Sequence, residues 1–137
     1  MSSILTRDTA AKAATLATIL FAVAIVLQLL IAVGVVPITA AWGGRQAVLT
    51  PTLRLASVAA AVVLALFAYV IRARAGLMGQ TAVSTFIRIS AWIITVFLAL
   101  NTLGNFASIS SFEKFVLGPI TLVLTVCCLI VAASKVD

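Results

Sequence analysis

Four long runs of uncharged, apolar residues fill most of a chain of only 137 residues, and nothing else in the sequence limits the fold so severely. Each run approaches the roughly 20 residues that a helix needs to cross the hydrocarbon core of a bilayer. They lie at about residues 13–36, 51–72, 87–106 and 111–134. In lipid every backbone N–H and C=O must find its partner inside the protein, which leaves helices or a closed barrel. Barrel strands would alternate polar and apolar residues, and these runs do not. The expected fold is therefore all-α: a single membrane domain over residues 1–137, built as an up-down-up-down bundle of four transmembrane helices.

Composition agrees, since 64% of the residues are hydrophobic and 9% are charged. A soluble domain carries roughly 25% charged residues, so lipid must solvate much of this surface. Local signals set the boundaries of the spans. Gln28 alone interrupts the first run, and Pro37 is expected to close it. Thr50 and Pro51 read as the N-cap and first residue of the second helix. The third run starts near Arg88 and the fourth near Ser110. Pro119, after Gly118, removes the hydrogen bond to the Phe115 carbonyl and predicts a kink in the fourth helix. Small residues recur every four positions at Ala14, Thr18 and Ala22 and at Ser57, Ala61 and Ala65, rows that allow close helix packing in lipid.

Orientation follows from the basic residues near the span ends. Arg7, Lys12, Arg72, Arg74, Arg88 and Lys135 fall on one side, and Arg45, Arg54 and Lys114 on the other. Both termini are expected to be cytoplasmic, with Trp42, Phe106, Phe112 and Phe115 at the outer interface and Tyr69 and Trp92 at the inner one. The first run exceeds the 7–15 apolar residues of a cleaved signal peptide, so it reads as an uncleaved signal anchor.

Several chemistries lack their residues. There is no histidine, and the only cysteines, Cys127 and Cys128, are adjacent rather than spaced as a redox pair. No nucleophile–base pair, phosphate-cradling loop or pair of carboxylates is visible. The net charge of +6 is scattered singly between apolar runs, without the basic stripe that nucleic acid requires. No carboxylate falls well inside a run, so a proton-coupled exporter would lack its usual carrier group. Neither a catalytic residue nor a cofactor or metal site is expected.

The candidate residues gather in the half of the membrane expected to face outward. Arg54 opens the second span, Asn101 and Asn105 share one face late in the third, and Glu113 opens the fourth. Two readings compete. These four side chains form one polar cluster in which Glu113 pairs with Arg54. Alternatively, Ser110-Ser111-Phe112-Glu113 is a capping box, the asparagines bond across helices, and Arg54 snorkels to the headgroups.

Trp42-Gly43-Gly44, Leu53-Arg54-Leu55-Ala56-Ser57, Arg74-Ala75-Gly76, Asn101-Thr102-Leu103-Gly104-Asn105, Glu113 and Gly118-Pro119 together resemble a group of small bacterial four-span membrane proteins of unknown function. The resemblance implies a multi-pass protein of a bacterial inner membrane with these residues as its signature, and it implies no activity. The functional expectation is a small non-enzymatic membrane protein, an accessory or partner-binding subunit. A small oligomeric transporter or channel is the alternative, and a membrane enzyme a remote one. The expected partners are the lipid bilayer, another membrane protein or a second copy of the chain, and no nucleic acid.

Overall fold

Thr6 starts the first helix by accepting a hydrogen bond from the Thr9 amide, 3.2 Å away. The computed structural model describes residues 6–80 and 82–135. Its helices are α1 (Arg7–Ala32), α2 (Pro51–Arg74), α3 (Thr85–Ala107) and α4 (Gly118–Ala133). A π-helical segment, Glu113–Leu117, leads directly into α4. With that segment joined to α4, all four helices are long and apolar enough to cross a membrane, and no strand occurs among the described residues. This is the pattern of a multi-pass, helical membrane protein. The extreme residues 1–5 and 136–137, which belong to the expected single domain and carry both termini, lie outside the described residues.

The helix ends follow local chemistry. Asp8 in the first turn of α1 forms an i,i+4 ion pair with Lys12 at 3.0 Å. Thr50 caps α2 through the Leu53 amide at 3.2 Å, with Pro51 at the first helical position, as the sequence predicts. Ser84 does the same for α3 through the Ile87 amide.

One boundary differs from expectation. α1 ends at Ala32 rather than near Val36, because Gly34 takes a left-handed conformation with φ of 87°. The Gly34 amide then bonds the Ile31 carbonyl and the Val35 amide the Leu30 carbonyl, the paired closure of a Schellman motif. Pro37 lies beyond this stop. The same pair of bonds closes α2, from the Gly76 amide to the Ala73 carbonyl and from the Leu77 amide to the Arg72 carbonyl.

The kink expected at Gly118-Pro119 takes the form of the π-helical segment. With no amide at Pro119, the helix widens ahead of it, and the Gly118 N–H bonds the Glu113 carbonyl five residues back. Phe106 packs closely on Gly118, where a Cβ would meet its ring at 2.8 Å.

The helices pack as a ring in which α1 meets α2 and α4, and α3 meets α4. The α2–α3 seam is the loosest of the four neighbouring contacts. The main core is centred on Phe21, Ile71, Leu98, Leu124 and Val131, with small residues at the α1 contacts. The expected small-residue rows are only partly buried. Ala14, Ser57 and Ala61 are interior, whereas Ala22 and Ala65 are exposed. A step of four residues advances 400°, so a strict row drifts 40° per step off the contact face. The buried row on α1 corrects the drift by mixing a step of three with steps of four: Ala10, Ala14, Ala17 and Phe21.

Candidate functional site

The loop between α1 and α2 builds one end of the bundle. It makes two short 3-10 turns, Ile38–Ala40 and Trp42–Gly44. Trp42 is held at φ of 54°, a strained region for a bulky residue, and its indole Nε1 donates to Ser57 Oγ of α2 at 3.1 Å. Gly44, at φ of 75°, lies so close to the start of the fourth span that a Cβ there would stand 2.8 Å from the Ser110 amide nitrogen. Ser110 Oγ in turn donates to the Ala40 carbonyl at 3.1 Å.

These contacts decide what Glu113 does. The Ser110–Glu113 capping box is half made: the Glu113 amide donates to Ser110 Oγ at 3.2 Å. The reciprocal bond is not, because the Ser110 amide already donates to Ser108 Oγ at 3.0 Å. The Glu113 carboxylate is thereby released to turn inward, where Oε1 accepts from the Gly43 amide at 3.2 Å. The side chain is buried, with 7% exposure. Glu113 thus stands at the opening of the fourth span, as expected, and at the start of the π-helical segment its side chain is drawn into the interior.

The four candidates do not form one network. Arg54 makes no ion pair with Glu113 among the described residues. Its Nη1 donates instead to the Ala32 carbonyl at 2.9 Å, capping the C-terminus of α1, and its side chain is exposed. A cation at a helix C-terminus meets both an open carbonyl and the negative end of the helix dipole. Asn105 is buried and donates through Nδ2 to Thr121 Oγ1 at 3.1 Å. Asn101 is exposed on the same face of α3. Thr102 and Thr125 add a further α3–α4 hydroxyl contact at 3.2 Å.

Asn101, Asn105 and Glu113 instead share a cavity of about 710 Å³ where α2 and α3 diverge. Arg54 does not line it. Gln28, Trp42 and Thr121 complete its polar wall, and the rest is apolar, including Ala59, Ala60 and Val63 of α2. On α2 and α3 the lining stops at Phe67 and Phe97, whose rings meet edge to face with centroids 5.5 Å apart. Gln28 has a buried Oε1 without a protein hydrogen-bond partner. No lysine or arginine lines the cavity among the described residues.

Sequence reasoning missed two positions. Trp42 reads as an interfacial aromatic, yet it bonds α2 and lines the cavity. Arg74 reads as one of several orienting charges, yet it is 4% exposed and donates through Nη2 to the carbonyls of Ala132 and Ser134 at the opposite end of the bundle. Arg74-Ala75-Gly76 carried the only hint, since a guanidinium one residue before a helix-closing turn stays within reach of neighbouring helix ends.

No family model matches the chain, and neither the curated proteins nor the solved structures contain a significant match.

Proposed function

We propose that the chain is a non-enzymatic, multi-pass membrane protein of the accessory or partner-binding kind, whose own ligand site is the cavity between α2 and α3. The observation that carries this reading is the cavity itself. Its volume of about 710 Å³ falls within the roughly 300–1,000 Å³ of small-molecule sites. Its wall is mainly apolar, with a few polar groups converging at one end, the composition that fixes a ligand's orientation without reacting with it. Up-down-up-down topology with both termini cytoplasmic is supported by the six-to-three asymmetry of basic residues, and it turns the Glu113 end outward. The resemblance of the Trp42-Gly43-Gly44 and Asn101-to-Asn105 motifs to bacterial four-span proteins supports an inner-membrane location.

A small oligomeric transporter or channel is the second reading, and the buried Glu113 beside a π-helical segment favours it. Such segments concentrate at functional sites and can change register. Native mass spectrometry of the detergent-purified protein separates the two. A bound small molecule or a stable heteromer supports the accessory reading. A defined homo-oligomer that conducts ions in vesicles replaces it with the transporter. Reporter fusions at Gly76 and at the C-terminus should read cytoplasmic and one at Gly44 external, and the reverse pattern overturns the orientation.

A further inference from the structure

The polar wall of the cavity has a sign. Glu113 contributes a carboxylate, nine-tenths buried, whose one protein donor among the described residues is the Gly43 amide. Gln28 contributes a buried carbonyl oxygen without a protein donor. Both are acceptors, and among the lining residues no lysine or arginine balances them. Arg54, the partner expected for Glu113 from the sequence, is committed to the Ala32 carbonyl. A buried carboxylate without a counter-charge is unfavourable in a low-dielectric setting, and a bound cation relieves that penalty.

The remaining wall says what kind of cation. One carboxylate with no histidine or cysteine beside it is a poor donor set for a metal ion, and no group of three metal-binding side chains occurs among the described residues. Trp42, Phe67 and Phe97 present aromatic surface, which attracts a cation through the ring quadrupole and also shelters apolar groups. Small residues of α2, Ala56, Ala59 and Ala60, leave the width for a bulky body.

We propose that this cavity binds a lipophilic organic cation, with Glu113 as its counter-charge and the Phe67–Phe97 floor and α2 wall enclosing its apolar part. The proposal rests on the reading of the cavity as a ligand site, and it adds the sign of the ligand.

The test compares three probes of similar shape and different charge on the full-length protein in nanodiscs: tetraphenylphosphonium, neutral triphenylphosphine oxide and tetraphenylborate. Signal is counted above protein-free nanodiscs, which removes partitioning into lipid. Saturable binding of the phosphonium, at least tenfold tighter than of the borate, is expected. Glu113→Gln keeps an acceptor for the Gly43 amide, so it should fold, and it should weaken phosphonium binding at least tenfold while leaving the neutral probe unchanged. Comparable binding of all three probes, or full phosphonium affinity in Glu113→Gln, overturns the cation assignment and leaves the cavity a neutral ligand site. Binding of none of the three overturns both the cation and the cavity as a site. The wild-type comparison decides the sign even if a variant misfolds.

Discussion

Replacing Glu113 separates a residue kept for structure from one kept for a ligand. Its carboxylate accepts one hydrogen bond, from the Gly43 amide at 3.2 Å, and has no ion pair with Arg54. Glu113→Ala deletes that acceptor and leaves the half-buried Gly43 N–H of the loop without it. A hydrogen bond to a charged group contributes about 1.5–3 kcal/mol, and removing the buried charge offsets part of the loss, so a net destabilisation of about 1–2 kcal/mol is expected. Glu113→Gln keeps an oxygen for Gly43 and removes the charge. Its stability should equal or exceed that of the native protein, within roughly 0.5 kcal/mol below it at worst, the level of ordinary mild substitutions. Unfolding by sodium dodecyl sulfate from a mild detergent, followed by circular dichroism, measures both. If Glu113→Gln loses as much as Glu113→Ala, the charge itself holds the bundle together and the argument from geometry fails.

Gly44→Ala places a Cβ 2.8 Å from the Ser110 nitrogen in a left-handed conformation, whereas Gly43→Ala meets nothing within 4 Å. In the same unfolding assay Gly43→Ala should cost about 1 kcal/mol and Gly44→Ala clearly more, and equal costs would contradict the close approach of loop and fourth span. Arg74→Met strands the Ala132 and Ser134 carbonyls and should destabilise by about 1.5–3 kcal/mol, while Arg72→Met, which loses a 3.4 Å contact to Thr18, should lose under about 1 kcal/mol. Cys127 and Cys128 are free and buried, so Cys127→Ala/Cys128→Ala should fold with a loss of at most about 2 kcal/mol. An oxidant-dependent mobility shift of the native protein on gels would contradict their role as packing residues.

The spans and the start of α2 at Thr50 and Pro51 were legible because they depend on neighbouring residues and on the solvent. The end of α1 was misplaced because proline is the more conspicuous breaker, although glycine in a left-handed turn stops the helix first. Arg54 was harder. Side chains that could pair with it can be counted in a sequence, but the free carbonyls at a helix end cannot, and it is the Ala32 carbonyl that satisfies it. Glu113 shows the same gap from the other side. The Ser110-to-Glu113 spacing was visible, but the competing Ser108 hydroxyl that releases the carboxylate acts only once the turn is folded. The cavity depends on the loose α2–α3 seam, a property of packing between segments that no local pattern encodes.

Cysteine accessibility along α2 tests the divergence of α2 and α3 most directly. In a Cys127→Ala/Cys128→Ala background, Ala60→Cys places a thiol in the cavity wall and Ala61→Cys places one in the packed interior, where Ala61 is 5% exposed. A third variant, Val62→Cys, faces outward, where lipid would cover it. The small, water-soluble reagent methanethiosulfonate ethylammonium, applied to the protein in nanodiscs, modifies only thiols that water reaches. The thiol at position 60 should react at least tenfold faster than those at 61 and 62, and equal protection at all three positions would contradict the cavity.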